Sequence, residues 1–185
     1  IQALYRGGFY RGGPLMLSAI SGIEQAMWDI KGKYYNCPVY EMLGGKCRDK
    51  TRIYINGWFA GAKEPEEFGE KAKIAVKRGV TAMKWDPFGK NYLNISNAEL
   101  DKALRNIAAV REAAGDKIDL LIEGHGRFNV PTAVKIAREL EQFKPMLFEE
   151  PVPPDNLEAL KAVRDKSPVA ISAGERLYTL RSFKD

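Results

Sequence analysis

Residues 118–176 read IDLLIEGHGRFNVPTAVKIARELEQFKPMLFEEPVPPDNLEALKAVRDKSPVAISAGER. Three short apolar runs stand out: IDLLI at 118–122, MLF at 146–148 and VAIS at 169–172. Each is too short for a helix and too uniformly apolar for a half-exposed strand, so each reads as a strand buried on both faces. Between them lie stretches of helical periodicity, at 131–143 and 156–166. Strand, helix, strand, helix, strand with short connections predicts a parallel sheet with right-handed crossovers.

Working towards the N-terminus, the same rhythm continues. Residues 97–114 form an amphipathic helix stopped by Gly115, and VTAMKW at 80–85 is a strand stopped by Asp86-Pro87. Residues 65–78 are a further helix closed by Gly79, and RIYIN at 52–56 is β-rich. That makes about five βα repeats. A doubly wound sheet and a TIM-type barrel share this pattern. No G-x-G-x-x-G follows the first strand, which weakens the dinucleotide-binding version. Five strands are too few to close an eight-stranded barrel. Before residue 49 the pattern differs. Residues 1–13 read as a Gly- and aromatic-rich loop, a helix follows to about Lys33 with Met27 and Trp28 as core residues, and residues 38–44 form a short second helix. A last helix opens near Leu180. The chain begins at Ile1 and shows no signal peptide, and it reads as cut at both ends.

Composition narrows the function. Of 185 residues 45% are hydrophobic and 29% charged, with mean hydropathy −0.34. No apolar run approaches the roughly 18 residues that a membrane span requires. Lys and Arg number 29 against 24 Asp and Glu, but basic and acidic residues are interspersed around residues 66–78. A nucleic-acid patch is not expected from that mixture. Two cysteines, Cys37 and Cys47, exclude a disulfide scaffold and suit a reducing, cytoplasmic setting as packing thiols.

The chemistry sits at the strand ends. Glu123, Glu149 and Glu175 follow the three runs, each 26 residues after the last. One βα unit takes roughly that many residues. The spacing therefore predicts three carboxylates at one height on neighbouring strands, at the C-terminal face where such architectures place their active sites. Converging carboxylates repel unless a cation offsets them. An all-oxygen donor set suits Mg2+, with Mn2+ as a substitute. His125, the only histidine, lies two residues after Glu123. On an extended segment it faces the same side, with a side chain suited to proton transfer near neutrality. Lys84 ends another strand and is a candidate catalytic cation, and Asp86 is expected to face the same way. Arg127 is a candidate for binding an anionic substrate.

Glu123, Glu149-Glu-Pro151 and Gly174-Glu-Arg176 on consecutive strands resemble the mandelate racemase branch of the enolase superfamily. So do Tyr5-Arg-Gly-Gly-Phe-Tyr-Arg-Gly-Gly-Pro14, Trp28-Asp-Ile-Lys-Gly-Lys33 and His125-Gly-Arg127, and together these motifs look like those of D-galactonate dehydratase and related acid-sugar dehydratases. The resemblance implies a capping domain whose last helices occupy residues 1–48, and a (β/α)7β barrel whose first part occupies 49–185. It implies a homo-oligomer and Mg2+ on Glu123, Glu149 and Glu175. The implied reaction takes a galactonate- or gluconate-like aldonate. It removes the α-proton through a metal-stabilised ene-diolate and expels the 3-hydroxyl to give a 2-keto-3-deoxy acid. His125 matches the residue that protonates the departing hydroxyl, with Lys84 also catalytic and Asp86 and Arg127 at the substrate. Two departures stand out. Glu123 replaces the family's usual Asp, and Lys84-Trp-Asp86 replaces the Lys-x-Lys of the racemases, whose second lysine is the proton-abstracting base. A racemase or epimerase on the same scaffold, and a non-catalytic fragment, are the alternatives.

Overall fold

The computed structural model describes residues 1–9 and 12–184. Tyr10 and Arg11 of the glycine-rich motif lie outside the described residues. The chain divides into two compact units, Ile1–Arg52 with Gly174–Asp185, and Ile53–Ala173.

The first unit is helical. Helix α1 (Gln2–Gly7) occupies residues expected to form a loop. Gln, Ala, Leu and Arg are good helix formers, and their propensity prevails up to the Gly7-Gly8 pair. Helix α2 (Pro14–Tyr34) starts on a proline suited to a first turn. It ends where the chain folds back so closely that a Cβ at Gly32 would lie 2.8 Å from the Cys37 carbonyl oxygen. Helix α3 (Val39–Met42) follows. Met27 is 43% exposed and Trp28 only half-buried, so neither is the core residue expected. The physical reason is that only Ile20 and Gly32 are buried along α2, whose helical neighbours here are short. Cys47 is exposed rather than packed, and Cys37 is half-buried.

The second unit carries the sheet. Helix α4 (Pro65–Lys77) is capped by Glu67, whose Oε2 accepts from the Lys63 and Glu64 amides at 2.7 and 3.1 Å. Strand β1 (Ala82–Trp85) is buried throughout. Helix α5 (Asn97–Ala114) is capped by Ser96 and stops at Gly115, whose φ of +76° suits glycine. Strand β2 (Asp119–Glu123), helix α6 (Val130–Leu140), strand β3 (Leu147–Glu149), helix α7 (Leu157–Arg164) and strand β4 (Ile171–Ser172) complete the series. Helix α8 (Leu180–Lys184) belongs to the first unit.

The four strands pair in parallel, in chain order β1-β2-β3-β4. The order never reverses, as it does in a doubly wound sheet; this is the winding of a TIM-type barrel. Met83, Leu120, Ile122 and Phe148 from the strands pack with Ile107, Ile136 and Leu140 from the helices, all fully buried. The expected strand at 52–56 contributes one bridging residue. Ile55 pairs with Met83, while Ile53 stays exposed and the chain turns away at Gly57, φ +69°. Among the described residues, no helix is long and apolar enough to cross a membrane.

Candidate active site at the strand ends

Strands β2 and β3 both end in glutamate, and Glu123 and Glu149 are direct register partners. Their side chains therefore leave the sheet at one level. Lys84 enters from β1, where it pairs with Leu121. Its Nζ lies 2.6 Å from Glu123 Oε2 and 2.6 Å from Glu149 Oε2. The three side chains are only 7%, 3% and 15% exposed. Burial by itself would push the Lys84 ammonium towards losing its proton. Hydrogen bonds to Glu123 and Glu149 outweigh that and hold its pKa well above an ordinary lysine. Lys84 also lies 5.6 Å from the centre of the Tyr54 ring. Tyr54 was not singled out from sequence, because a lone aromatic in a β-rich run carries no chemical signal of its own.

Two carboxylates thus converge on a single positive centre. That arrangement tests whether the residues suit a cation: both present Oε2 to the same charged atom, and the donors are all oxygen, as hard divalent ions require. Two carboxylates, one buried and one half-buried, offering oxygens to one positive centre make a donor set suited to a cation.

Beyond Glu123 the chain does not stay extended. His125 has φ +50° and Gly126 φ +63°, so residues 125–126 form a tight turn. Gly124 passes against β3's exit: a Cβ there would meet Glu150 O at 2.7 Å and Glu149 O at 3.1 Å. Its amide donates to Glu149 O at 2.8 Å. The His125 amide donates to Glu123 Oε1 at 2.9 Å, fixing the carboxylate from behind. The expectation that His125 and Glu123 share a side through i, i+2 alternation therefore does not apply, since alternation needs extended backbone. The His125 side chain is 51% exposed, with Nδ1 2.6 Å from Asp86 Oδ2.

Asp86 lies one residue beyond β1. It accepts from the Phe88 amide at 2.9 Å and from Arg127 Nη2 at 2.8 and 2.6 Å. Arg127 also donates to the carbonyls of Gly124 and Gly89. Glu150, beside Glu149, is a buried carboxylate with φ +39° that sequence reading passed over, since it looked like half of a doublet. Glu175 comes three residues after β4, and the register partner of Glu149 is Ser172. Equal spacing in sequence therefore marks equal level for Glu123 and Glu149. Arg176 Nε lies 3.5 Å from Glu175 Oε1.

Two family models match the chain. One, described as enolase C-terminal domain-like, covers residues 67–185, and the other, the N-terminal domain of mandelate racemase / muconate lactonizing enzyme, covers residues 1–44. D-gluconate dehydratase of Thermoproteus tenax is 44% identical over 164 residues, which is 89% of this chain and 33% of that protein. D-gluconate/D-galactonate dehydratase of Picrophilus torridus is 38% identical over 184 residues, 99% of this chain and 47% of that protein. A crystal structure of a member of the enolase superfamily from Salmonella Typhimurium matches with a TM-score of 0.91 at 33% identity, covering 99% of this chain and 52% of that one. The chain spans a third to about half the length of the curated relatives it matches.

Proposed function

Since the chain belongs to the enolase superfamily, in the mandelate racemase / muconate lactonizing enzyme group, we propose that it serves a Mg2+-dependent acid-sugar dehydratase. The substrate is a gluconate- or galactonate-like aldonate, and the product a 2-keto-3-deoxy acid. Relatives named as gluconate and galactonate dehydratases, at 38–44% identity, support the dehydratase reading over a racemase or a non-catalytic role. So does Lys84-Trp-Asp86, which lacks the second lysine of the racemases.

The observation that carries the reading is the pair Glu123 and Glu149 converging on one positive centre. Glu123 and Glu149, and by its spacing in sequence Glu175, are the residues that would hold the metal ion, each offering one oxygen. A divalent cation held there supplies Lewis-acid stabilisation, worth several kcal/mol, for negative charge that develops on the substrate carboxylate. Lys84 adds a fixed positive charge beside it. Once the α-proton has gone to a base, the electron pair of its C–H bond forms the C2–C3 double bond while His125 gives a proton to the 3-hydroxyl; the C–O bond breaks, the hydroxyl leaves as water, and the resulting enol becomes the keto acid. A cytoplasmic homo-oligomer, acting on a small sugar acid and built with residues 1–48 as the end of a capping domain, belongs to the same proposal.

The test is incubation with D-gluconate and D-galactonate with and without Mg2+, with keto acid trapped as its semicarbazone. Keto acid that requires the metal supports the reading. Solvent deuterium entering the α-carbon without loss of water would replace it with a racemase or epimerase.

A further inference from the structure

We propose that Asp86 is a positioning residue for His125, and that Arg127 acts on Asp86 rather than on a substrate anion. The carboxylate is held from three directions: the Phe88 amide at 2.9 Å, Arg127 Nη2 on both oxygens at 2.8 and 2.6 Å, and His125 Nδ1 at 2.6 Å. Arg127 is itself anchored, its Nε donating to Gly124 O at 3.1 Å and its Nη1 to Gly89 O. Its guanidinium is therefore spent on protein groups that join the ends of β1 and β2. A carboxylate paired with arginine accepts hydrogen bonds and does not donate them. Nδ1 of His125 consequently carries the proton, and in the neutral ring Nε2 is the basic nitrogen.

The backbone supports this. His125 sits at φ +50°, a conformation that a non-glycine side chain adopts only when its surroundings hold it there. The Glu123 carboxylate on its amide, from the end of β2, and the Asp86 carboxylate on its ring, from just beyond β1, do so. The Asp86 contact at Nδ1 fixes the orientation of the ring and makes Nε2 its other polar edge. This deepens the dehydratase reading, and rests on it for the partner of Nε2.

His125 is the only histidine, so its ring nitrogens can be read without assignment. The chain is labelled with 15N-histidine, and its long-range 1H–15N spectrum is recorded at about pH 8.5, where an ordinary imidazole is neutral. The wild type shows Nδ1 protonated and Nε2 not. In Asp86→Ala the share of the Nε2–H form rises several-fold, and Arg127→Met moves it in the same direction by less. Should Asp86→Ala fail to fold, Asp86→Asn serves, because it keeps an acceptor for the Phe88 amide. An Nε2–H wild type, or a tautomer indifferent to Asp86, overturns the proposal. With an aldonate as substrate, Asp86→Asn lowers kcat at least about tenfold and leaves KM within about twofold. A raised KM with kcat kept would return Asp86 to substrate binding and overturn the proposal as well. The spectra need no substrate. An Nδ1–H wild type without keto acid would sink the dehydratase reading and keep this one.

Discussion

Lys84 Nζ and Glu123 Oε2 lie 2.6 Å apart on adjacent parallel strands, with side chains only 7% and 3% exposed. Glu149 completes the contact from the third strand at the same distance. A buried charge is tolerated only while its partners remain, so this cluster sets both the stability of the strand ends and their appetite for cations.

Lys84→Met leaves two carboxylates facing each other without the ammonium. Removing one partner of a buried pair costs about 3–5 kcal/mol. Urea unfolding should show that loss in metal-free buffer and recover part of it with Mg2+. The variant should also bind Mn2+ about tenfold more tightly than wild type by titration calorimetry, since the lysine no longer competes; equal affinities would count against a shared cation position.

Glu149→Gln removes one proposed ligand charge while keeping the shape. Mn2+ affinity should fall at least about 10-fold, the lower end of what even outer partners of a metal site cost. The free-Mn2+ signal in electron paramagnetic resonance reads this directly.

Gly124→Ala drives a methyl towards Glu150 O at 2.7 Å and Glu149 O at 3.1 Å. Both are backbone atoms of the neighbouring strand's exit, so the sheet must give. A loss of about 1–3 kcal/mol is expected for overpacking of this kind, read as a lower unfolding midpoint.

Glu67 is held below its ordinary pKa of 4.5 because its carboxylate accepts the Lys63 and Glu64 amides at the start of α4. A depressed folded-state value means stability that is present above about pH 4.5 and lost as pH falls through the lower folded value. The gap in urea midpoint between wild type and Glu67→Gln should therefore be present at neutral pH and close in acid. A gap that widens on acidification would contradict the capping role.

Asn129→Ala removes the Oδ1 that accepts the Thr132 amide at 2.9 Å, and the amide group bonded to Asn94. An N-cap of this kind contributes about 1 kcal/mol. Thermal unfolding should show that loss, while the 15N shifts of His125 stay in place.

Much of the second unit was legible because its signals are local. Ser96, Asn129 and Asn156 cap their helices, and Gly115 stops one, through contacts within a few residues. The continuous apolar runs mark buried strands for the same reason. In the first unit, Gly7-Gly8 and Gly12-Gly13 hid the short helix α1, and helical periodicity overstated the burial of Met27. Periodicity reports which face is apolar, not what covers it.

By itself, the sequence determined the βα rhythm and the glutamates that close β2 and β3, because strand length, helix length and stop signals are encoded residue by residue. Tertiary structure alone decided what those residues meet. Lys84 reaches two glutamates because β1, β2 and β3 pair in one parallel register. Asp86 meets His125 because the backbone turns at His125–Gly126, with positive φ at both. Ile55 bridges where five β-rich residues were expected to pair. Register and turn direction come from hydrogen bonds between segments distant in the chain, and no local pattern contains them.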